Sequence, residues 1–298
     1  MTAQHTATIP PAVMDSIRNA LIEDIGHGDI TTTQTIDAAS RSEAALMAKE
    51  EAVVAGLPFF KAVFYITDPA VEIKALAADG QLVTKGTRIA AIYGSTRSIL
   101  TAERLALNIM QRLCGVATLT RQFVESVSGL PVKIVDTRKT TPNMRYMEKY
   151  AVRAGGGHNH RFGLYDGVLI KDNHITACGG IKKAIEKVKK TPLLTKIEVE
   201  VKNLNELREA LSTDVDVIML DNMDTATMRQ AVDKARALNS RVLIEASGNV
   251  TLQNVREIAA TGVDIISTGY ITHSARAADI SLKIIANHDY FEVAEEFE

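Results

Sequence analysis

The chain has 298 residues, of which 46% are hydrophobic and 23% are charged, and its formal net charge at pH 7 is -2. This length is sufficient for one large α/β domain and a smaller one. The near-neutral charge gives no global electrostatic reason to expect binding to nucleic acid or to membranes, so any basic surface must be local.

Targeting segments and disulfide bonds are not indicated either. Residues 1–20 lack a basic segment followed by an apolar core, so we expect no signal peptide. No apolar run approaches the roughly 18–20 residues needed to cross a bilayer. Cys114 and Cys178 are too few for a disulfide framework, and we interpret them as thiols of a reducing compartment. The expected location is therefore the cytoplasm.

Residues up to about 115 mix helical and strand-like patterns without a regular order. Apolar side chains at helical spacing predict helices over 11–24 and 97–113, and Arg104 lies on the second helix. Further segments predict strands at 43–54 and 71–76 and a hairpin with glycines at its corners at 80–94.

After residue 115 the pattern becomes regular, with short β-branched runs separated by helix-like stretches. The runs are VKIV (132–135), GVLI (167–170), KIEVEV (196–201), VDVIML (215–220), RVLIEA (241–246) and VDIIST (263–268). This alternation predicts a parallel sheet, buried on both faces, with helices outside it. A barrel fits best, and six strands rather than eight leave an incomplete and a full barrel equally open.

Polar residues stand at the ends of these strands. They are Asp136, Lys171, Glu200, Asp221, Ser247, Thr268 and Gly269. In a (β/α) barrel the C-terminal strand ends meet on one face, where active sites are built. The pattern therefore predicts one pocket that receives all of these groups.

The predicted pocket has an excess of positive charge around its mouth. The segments DTRKTTP (136–142) and RAGGGHNHRFGLYDGVLIKDNH (153–174) contribute Arg138, Lys139, Arg161 and Lys171. Guanidinium groups bind carboxylates and phosphates bidentately, so a polyanionic substrate is indicated. We interpret His160 as a hydrogen-bond donor to substrate and His158 as structural, because their spacing is weak support for a zinc site.

Two acids and two glycine loops complete the predicted pocket. Glu200 and Asp221 come from consecutive strands and suit Mg²⁺, directly or through water. They are also suited to hold sugar hydroxyls, to stabilise developing positive charge, or to pair with lysines of the pocket. The loops EASGNVT (245–251) and STGY (267–270) follow the last two strands, and SGN leads into a predicted helix, as in barrel phosphate sites.

Several of these segments together resemble a known family. They are EDIGHGDITT (23–32), AERLALNIMQRLCGVAT (102–118), DTRKTTP, YAVRAGGGHNHRFGLYDGVLIKDNHI (150–175), IEVEV, MLDN (219–222), EASGN and STG. They resemble the quinolinate phosphoribosyltransferases over nearly the whole chain. The resemblance implies an N-terminal α/β sandwich domain, residues 1–115 joined by 276–298, and an incomplete (β/α) barrel of mostly parallel strands, residues 116–275.

The resemblance also implies roles for individual residues. Quinolinate would be held by Arg104, Thr137, Arg138, His160, Arg161 and Lys171. Phosphoribosyl pyrophosphate would be held by Lys139, Ser247, Gly248, Asn249, Thr268, Gly269 and Tyr270. Lys139, Glu200 and Asp221 would be catalytic, and the two acids would hold the cofactor Mg²⁺. In this family a homodimer is expected, in which Arg104 reaches into the neighbouring subunit's site; a larger assembly is left open.

The implied reaction converts quinolinate and phosphoribosyl pyrophosphate to nicotinate mononucleotide, pyrophosphate and carbon dioxide, a step of de novo NAD biosynthesis. Three alternatives remain at this stage. One is a related transferase acting on nicotinate or another aromatic acid, and another is a non-catalytic binding protein that kept the barrel. The third is a barrel aldolase with Lys171 as a Schiff-base lysine, which the surrounding charges disfavour.

Overall fold

The computed structural model describes residues 9–190, 192, 194–238 and 241–285. These fall into two units: the first holds residues up to 118 with 146–155 and those from 275 onward, and the second holds 119–145 and 156–274. The domain division near residue 115 stays a prediction. Of the C-terminal segment assigned to the first domain, residues 286–298 lie outside the described part.

The described residues form eleven helices and twelve strands. The helices are α1 Pro11–Ile25, α2 Ile30–Thr35, α3 Leu57–Thr67, α4 Thr96–Ser126, α5 Arg145–Ala154, α6 Asp172–Cys178, α7 Ile181–Val188, α8 Leu204–Leu211, α9 Thr225–Leu238, α10 Val255–Ala259 and α11 Tyr270–His273. The strands are β1 Arg41–Ala48, β2 Ala52–Val53, β3 Glu72–Ala75, β4 Leu82–Val83, β5 Arg88–Ser95, β6 Lys133–Val135, β7 Val168–Ile170, β8 Ile197–Val201, β9 Val217–Asp221, β10 Leu243–Ser247, β11 Ile265–Ser267 and β12 Ile280–Ile284.

Both predicted helices of the first part are confirmed, and the second is longer than predicted. Helix α4 runs 31 residues and passes through Gly115 without a break. A Cβ at Gly115 would overlap the carbonyl oxygen of Arg276, so this glycine permits close packing of backbone and does not end the helix. A glycine inside a helix is tolerated when neighbouring backbone requires the space.

The first unit contains an antiparallel sheet in the order β12-β1-β5-β3 and a small β2-β4 pair. The predicted hairpin at 80–94 is therefore wrong, because β4 pairs with β2 while β5 pairs with β1 and β3. The reason is burial: four consecutive residues of β5, from Ile89 to Ile92, are buried and require a central position in the sheet. The predicted strand at 43–54 is likewise interrupted, where Glu50 accepts hydrogen bonds from Arg276 and Asp279.

The second unit contains the six predicted strands in one parallel sheet, in the order β6-β11-β10-β9-β8-β7. Strands β6 and β7 stand at opposite ends of this order, so the choice left open by the sequence is settled as an incomplete barrel. Beside β6, His158 forms a parallel bridge to Val135, which agrees with a structural role for this histidine.

Side-chain alternation along the parallel strands separates the core from the site. Val199 and Val201 of β8 are fully buried on one face, and Glu198 and Glu200 point to the other face. The sequence pattern suggested strands that are buried on both faces. Strand β8 differs, because it carries an acid at every second position. None of the described helices combines the length and apolar character needed to span a membrane.

The two cysteines provide a test of the fold of the first unit. Cys114 is 0% exposed, and burial raises the pKa of its thiol to about 12, while Cys178 is half-buried. Because the thiolate is the reactive form, we expect a thiol reagent at pH 8 to label only Cys178 in the native protein and both cysteines in denaturant. Cys178→Ser should abolish native labelling. Rapid native labelling of Cys114 would contradict the packing of α4.

Candidate active site

A cavity of about 630 Å³ opens at the C-terminal ends of the parallel strands in the second unit. Its size is that of a typical small-molecule site. The predicted site residues that line it are Thr137, Arg138, Lys139, His160, Arg161, Lys171, Glu200, Asp221, Ser247, Gly248, Asn249, Thr268, Gly269 and Tyr270. The cavity therefore receives residues from the ends of all six parallel strands or from the loops that follow them, as expected where parallel strands end at one face.

Arg104 is the predicted site residue that does not line this cavity. It lies exposed on α4, in the first unit. The prediction that it serves a neighbouring subunit stays a prediction.

Asp136 anchors the glycine-rich segment to the end of β6. Its side chain is 0% exposed, and its two oxygens accept hydrogen bonds from the backbone N–H of His160 at 2.9 Å and from Nδ2 of Asn159 at 2.6 Å. The next residue, Thr137, accepts a hydrogen bond from the backbone N–H of Lys139 at 3.0 Å. Asp136 is thus a scaffold residue, and the residues after it face the cavity.

The cationic side chains are held close to one another. Nη1 of Arg161 donates to the carbonyl of Gly167 at 3.0 Å, which directs the side chain along the cavity wall. Burial, followed by the charge of Arg138, lowers the pKa of Arg161. Like charges close to each other repel, so an anion that binds between Arg138 and Arg161 stabilises this part of the cavity.

Glu200 and Asp221 lie at the ends of neighbouring strands β8 and β9. Burial, followed by the charge of Asp221, raises the pKa of Glu200. Nδ2 of Asn222 donates to Oδ1 of Asp221 at 2.9 Å. Ion pairs of the described residues do not join these acids to Lys139 or Lys171, so the lysine-partner interpretation is not supported. Two unpaired carboxylates at one cavity wall fit a hard divalent cation such as Mg²⁺.

The loop after β10 is held by a close contact between two strand ends. Gly248 has φ 94°, and a Cβ there would overlap the side-chain amide of Asn222. Nδ2 of Asn249 donates to Oδ1 of Asn222 at 3.0 Å, and Asn222 and Asn249 both adopt positive φ. The predicted helix directly after SGN is not present, because α10 begins only at Val255; α11, by contrast, begins directly after Gly269.

His160 contacts protein with both ring nitrogens. Nε2 lies 3.0 Å from Oε2 of Glu198 and 3.5 Å from Oε2 of Glu245, and Nδ1 accepts a hydrogen bond from the backbone N–H of Arg161 at 2.8 Å. In this arrangement His160 lines the cavity, but its ring N–H is directed at carboxylates rather than at a ligand. Its predicted role as a donor to substrate remains untested.

The surroundings of His160 stabilise a proton on its ring. Burial lowers the pKa of His160, but hydrogen bonds to Glu198 and Glu245 outweigh burial and raise it to about 10. Burial also raises the pKa of Glu198. Because Nδ1 accepts a hydrogen bond from the backbone, we place this proton on Nε2, which faces both carboxylates.

Glu198, Glu245 and Asn222 are site residues that the sequence analysis missed. The signal for Glu198 was its spacing, since a residue two positions before Glu200 on a strand shares its face. Glu245 opens the EASGN segment, but a single acid inside a β-branched run gives no indication of its partner.

A parallel α/β barrel whose strand ends bring together cations and paired acids defines a site for small polyanionic molecules. Comparison with known proteins names the family. The model of the quinolinate phosphoribosyl transferase N-terminal domain matches residues 29–114, and that of the C-terminal domain matches residues 116–283. The chain belongs to the quinolinate phosphoribosyltransferase family.

Individual relatives match over nearly the full length. A Synechocystis protein named probable nicotinate-nucleotide pyrophosphorylase [carboxylating] is 46% identical over 96% of this chain and 97% of its own. A Bacillus subtilis protein of the same name is 43% identical, with coverage of 93% and 94%. The structure of the nicotinate-nucleotide pyrophosphorylase from Francisella tularensis superposes with a TM-score of 0.89 at 42% identity, covering 95% of this chain and 100% of that one.

The contact between Gly248 and Asn222 can be tested by unfolding. Gly248→Ala introduces both backbone strain from its positive φ and steric overlap with Asn222. Gly129→Ala, at φ 83°, introduces the backbone strain alone, because a Cβ there would meet no neighbouring atom. We expect Gly129→Ala to lower the free energy of unfolding by about 1 kcal/mol and Gly248→Ala by about 2 kcal/mol or more. Urea denaturation measures both. Equal losses would show that the overlap is relieved without cost.

Proposed function

We propose that this chain is a decarboxylating quinolinate phosphoribosyltransferase, which converts quinolinate and phosphoribosyl pyrophosphate to nicotinate mononucleotide, pyrophosphate and carbon dioxide. The observation that supports this most is the single cavity in which four cationic side chains face two carboxylates and two glycine loops. Family membership supports the same activity.

The cations are assigned to quinolinate and the loops to phosphate. Arg138, Arg161 and Lys171 would bind the two carboxylates of quinolinate, with Thr137 beside them. Residues 247–249 and 268–270 would bind the phosphoribosyl group through backbone N–H groups and short polar side chains. Binding both substrates in one cavity places the pyridine nitrogen against C1 of the ribose, which removes much of the entropic barrier to their reaction.

Glu200 and Asp221 are assigned to the ribose and to Mg²⁺. When bound, Mg²⁺ would neutralise the charge of the pyrophosphate leaving group. The two carboxylates would hold the ion, directly or through water, and stabilise the positive charge that develops at C1 and the ring oxygen. Lys139, whose carbonyl accepts a hydrogen bond from Thr272 at 2.7 Å, would contact the departing pyrophosphate.

The chemistry requires no strong acid or base from the protein. The lone pair of the pyridine nitrogen forms the bond to C1 as the bond from C1 to pyrophosphate breaks. The carboxylate next to that nitrogen then leaves as carbon dioxide, and its electron pair stays on the ring carbon beside the positive nitrogen. A proton from water completes nicotinate mononucleotide. This product assigns the chain to de novo NAD biosynthesis.

The assignment is tested first with wild-type protein, quinolinate, phosphoribosyl pyrophosphate and Mg²⁺, with nicotinate in a parallel reaction. We expect equal amounts of nicotinate mononucleotide and carbon dioxide from quinolinate, and no turnover after a chelator removes the metal. Nicotinate is expected to react poorly, since it would leave part of the cationic wall unpaired. Efficient turnover of nicotinate would assign the related activity instead.

The cationic wall is tested by substitution. Arg138→Ala and Arg161→Ala should each raise KM for quinolinate by about tenfold or more, with a smaller effect on KM for phosphoribosyl pyrophosphate. Arg229→Ala is the matched control, because Arg229 is an exposed arginine of α9 that donates to the carbonyl of Ala260. Equal increases in both KM values would count against the division of the cavity into two subsites.

We also propose that the chain is a homodimer in which Arg104 completes the neighbouring site. The exposed position of Arg104 on α4, away from the cavity lining, supports this assignment. Arg104→Ala and Lys139→Ala should each be inactive alone. After mixing, denaturation and refolding, about a quarter of the sites should regain activity, because half of the dimers are mixed and each has one intact site. No recovery would contradict shared sites.

The proposed location is the cytoplasm, and the proposed partners are the two small-molecule substrates and a second copy of the chain. Cys114 and Cys178 are free thiols, which supports a reducing compartment.

A further inference from the structure

Two buried acids that no substrate role explains contact His160, the residue before Arg161 of the proposed quinolinate subsite. The side chains of Glu198 on β8 and Glu245 on β10 are 8% and 1% exposed and approach the same histidine. Both carboxylates are buried, and Nε2 of His160 is the charged partner that the two share, at 3.0 Å from Glu198 and 3.5 Å from Glu245. Two buried carboxylates that share one imidazole are costly to keep, so a structure that retains both needs a reason.

The groups that these acids contact lead directly to the cationic wall. Oε2 of Glu198 and Oε2 of Glu245 lie 3.0 Å and 3.5 Å from Nε2 of His160. Nδ1 of the same ring accepts a hydrogen bond from the backbone N–H of Arg161. The guanidinium of Arg161 in turn donates to the carbonyl of Gly167. The imidazole therefore connects the barrel interior with the backbone from which the Arg161 side chain extends.

The segment that contains His160 is held from two directions. On its β6 side it is held by the bridge between Val135 and His158 and by Asp136. Strand β7, which follows it in sequence, is at the other end of the sheet. The contacts of His160 with Glu198 and Glu245 join the segment to β8 and β10 in the middle of the sheet.

We propose that Glu198 and Glu245 are positioning residues for the quinolinate subsite: they hold the ring of His160, and through it the backbone and guanidinium of Arg161. The inference rests on the proposed function for the identity of the ligand. The two acids also lend negative charge to a wall of cations, and Glu198 attracts Arg161 directly. Glu198 and Glu245 therefore act on substrate binding through His160 and Arg161.

The test uses Glu198→Gln and Glu245→Gln, which keep side-chain size and an acceptor oxygen but remove the charge. Each should raise KM for quinolinate by about tenfold, as expected when a charge-assisted hydrogen bond that orients a ligand group is lost. KM for phosphoribosyl pyrophosphate should change by less than about twofold, since the ion pairs of both carboxylates are made with His160 and not with the loops assigned to that substrate. Equal increases in both KM values, or no change in either, would overturn the proposal.

A matched control separates positioning from stability. Asp264, at the N-terminal end of β11 in the same unit, accepts hydrogen bonds from Arg236 at 2.6 Å and from the backbone of Ile244 at 2.7 Å. Asp264→Asn should lower the melting temperature and leave KM for quinolinate unchanged. If this control raises KM for quinolinate as much as Glu245→Gln does, the effect is general destabilisation and the proposal fails.

Coupling to His160 supplies a second readout. If the acids act through the imidazole, Glu245→Gln should have little further effect on KM for quinolinate once His160→Asn is present. Additive effects would overturn the proposed route. If Glu245→Gln does not fold, as judged by loss of its melting transition, Glu198→Gln in the same cycle decides the question.

Two further outcomes are distinguished by the same experiments. The ligand atoms of His160, Glu198 and Glu245 lie within 4.8 Å of one another, a spacing that a metal ion could occupy. A stoichiometric metal that survives dialysis in wild-type protein and is lost in Glu245→Gln would overturn the positioning role. Absence of wild-type turnover would refute the proposed function, whereas normal wild-type turnover with unaffected variants would refute only this inference.

Discussion

The anchoring of residues 158–161 at the open edge of the barrel is the constraint on which the site depends. A closed barrel would place another strand beside β6, but here β6 and β7 stand at opposite ends of the sheet order. The segment takes up this position through the carboxylate of Asp136 on one side and through the ring of His160 on the other. Arg161, which lines the cavity, follows directly after these two attachments.

Charge balance explains why the cavity is lined by acids as well as by cations. The cavity wall carries Arg138, Lys139, Arg161 and Lys171, and the burial of Arg161 already lowers its pKa. Cations gathered at one cavity repel one another before any substrate binds, and nearby carboxylates reduce that repulsion. Glu198 and Glu245 provide negative charge next to His160, and Glu200 and Asp221 provide it at the ends of β8 and β9. An incoming dianion then meets cations that are held in place but not neutralised by direct ion pairs.

Several local features were predictable because they depend on short-range pattern. The six β-branched runs each became a strand of the parallel sheet, and the amphipathic stretches became α1 and α4. The errors occurred where partners were distant. The segment 80–94 has the spacing of a hairpin, but its second half is buried on both faces and therefore lies between β1 and β3. The helix predicted over 97–113 continues through Gly115, where close contact with the backbone of Arg276 requires a glycine.

By itself the sequence determined the strand number, the direction of the sheet and the strand-end residues, because alternation and strand-helix order are local properties of the chain. It also determined the family, since long motifs such as residues 150–175 are specific. Only the tertiary structure decided that the barrel is open and that His160 contacts Glu198 and Glu245. Which acid meets which histidine depends on the stagger of neighbouring strands and on the path of a glycine-rich segment. These are set by packing between residues far apart in the chain, and spacing along the sequence does not encode them directly.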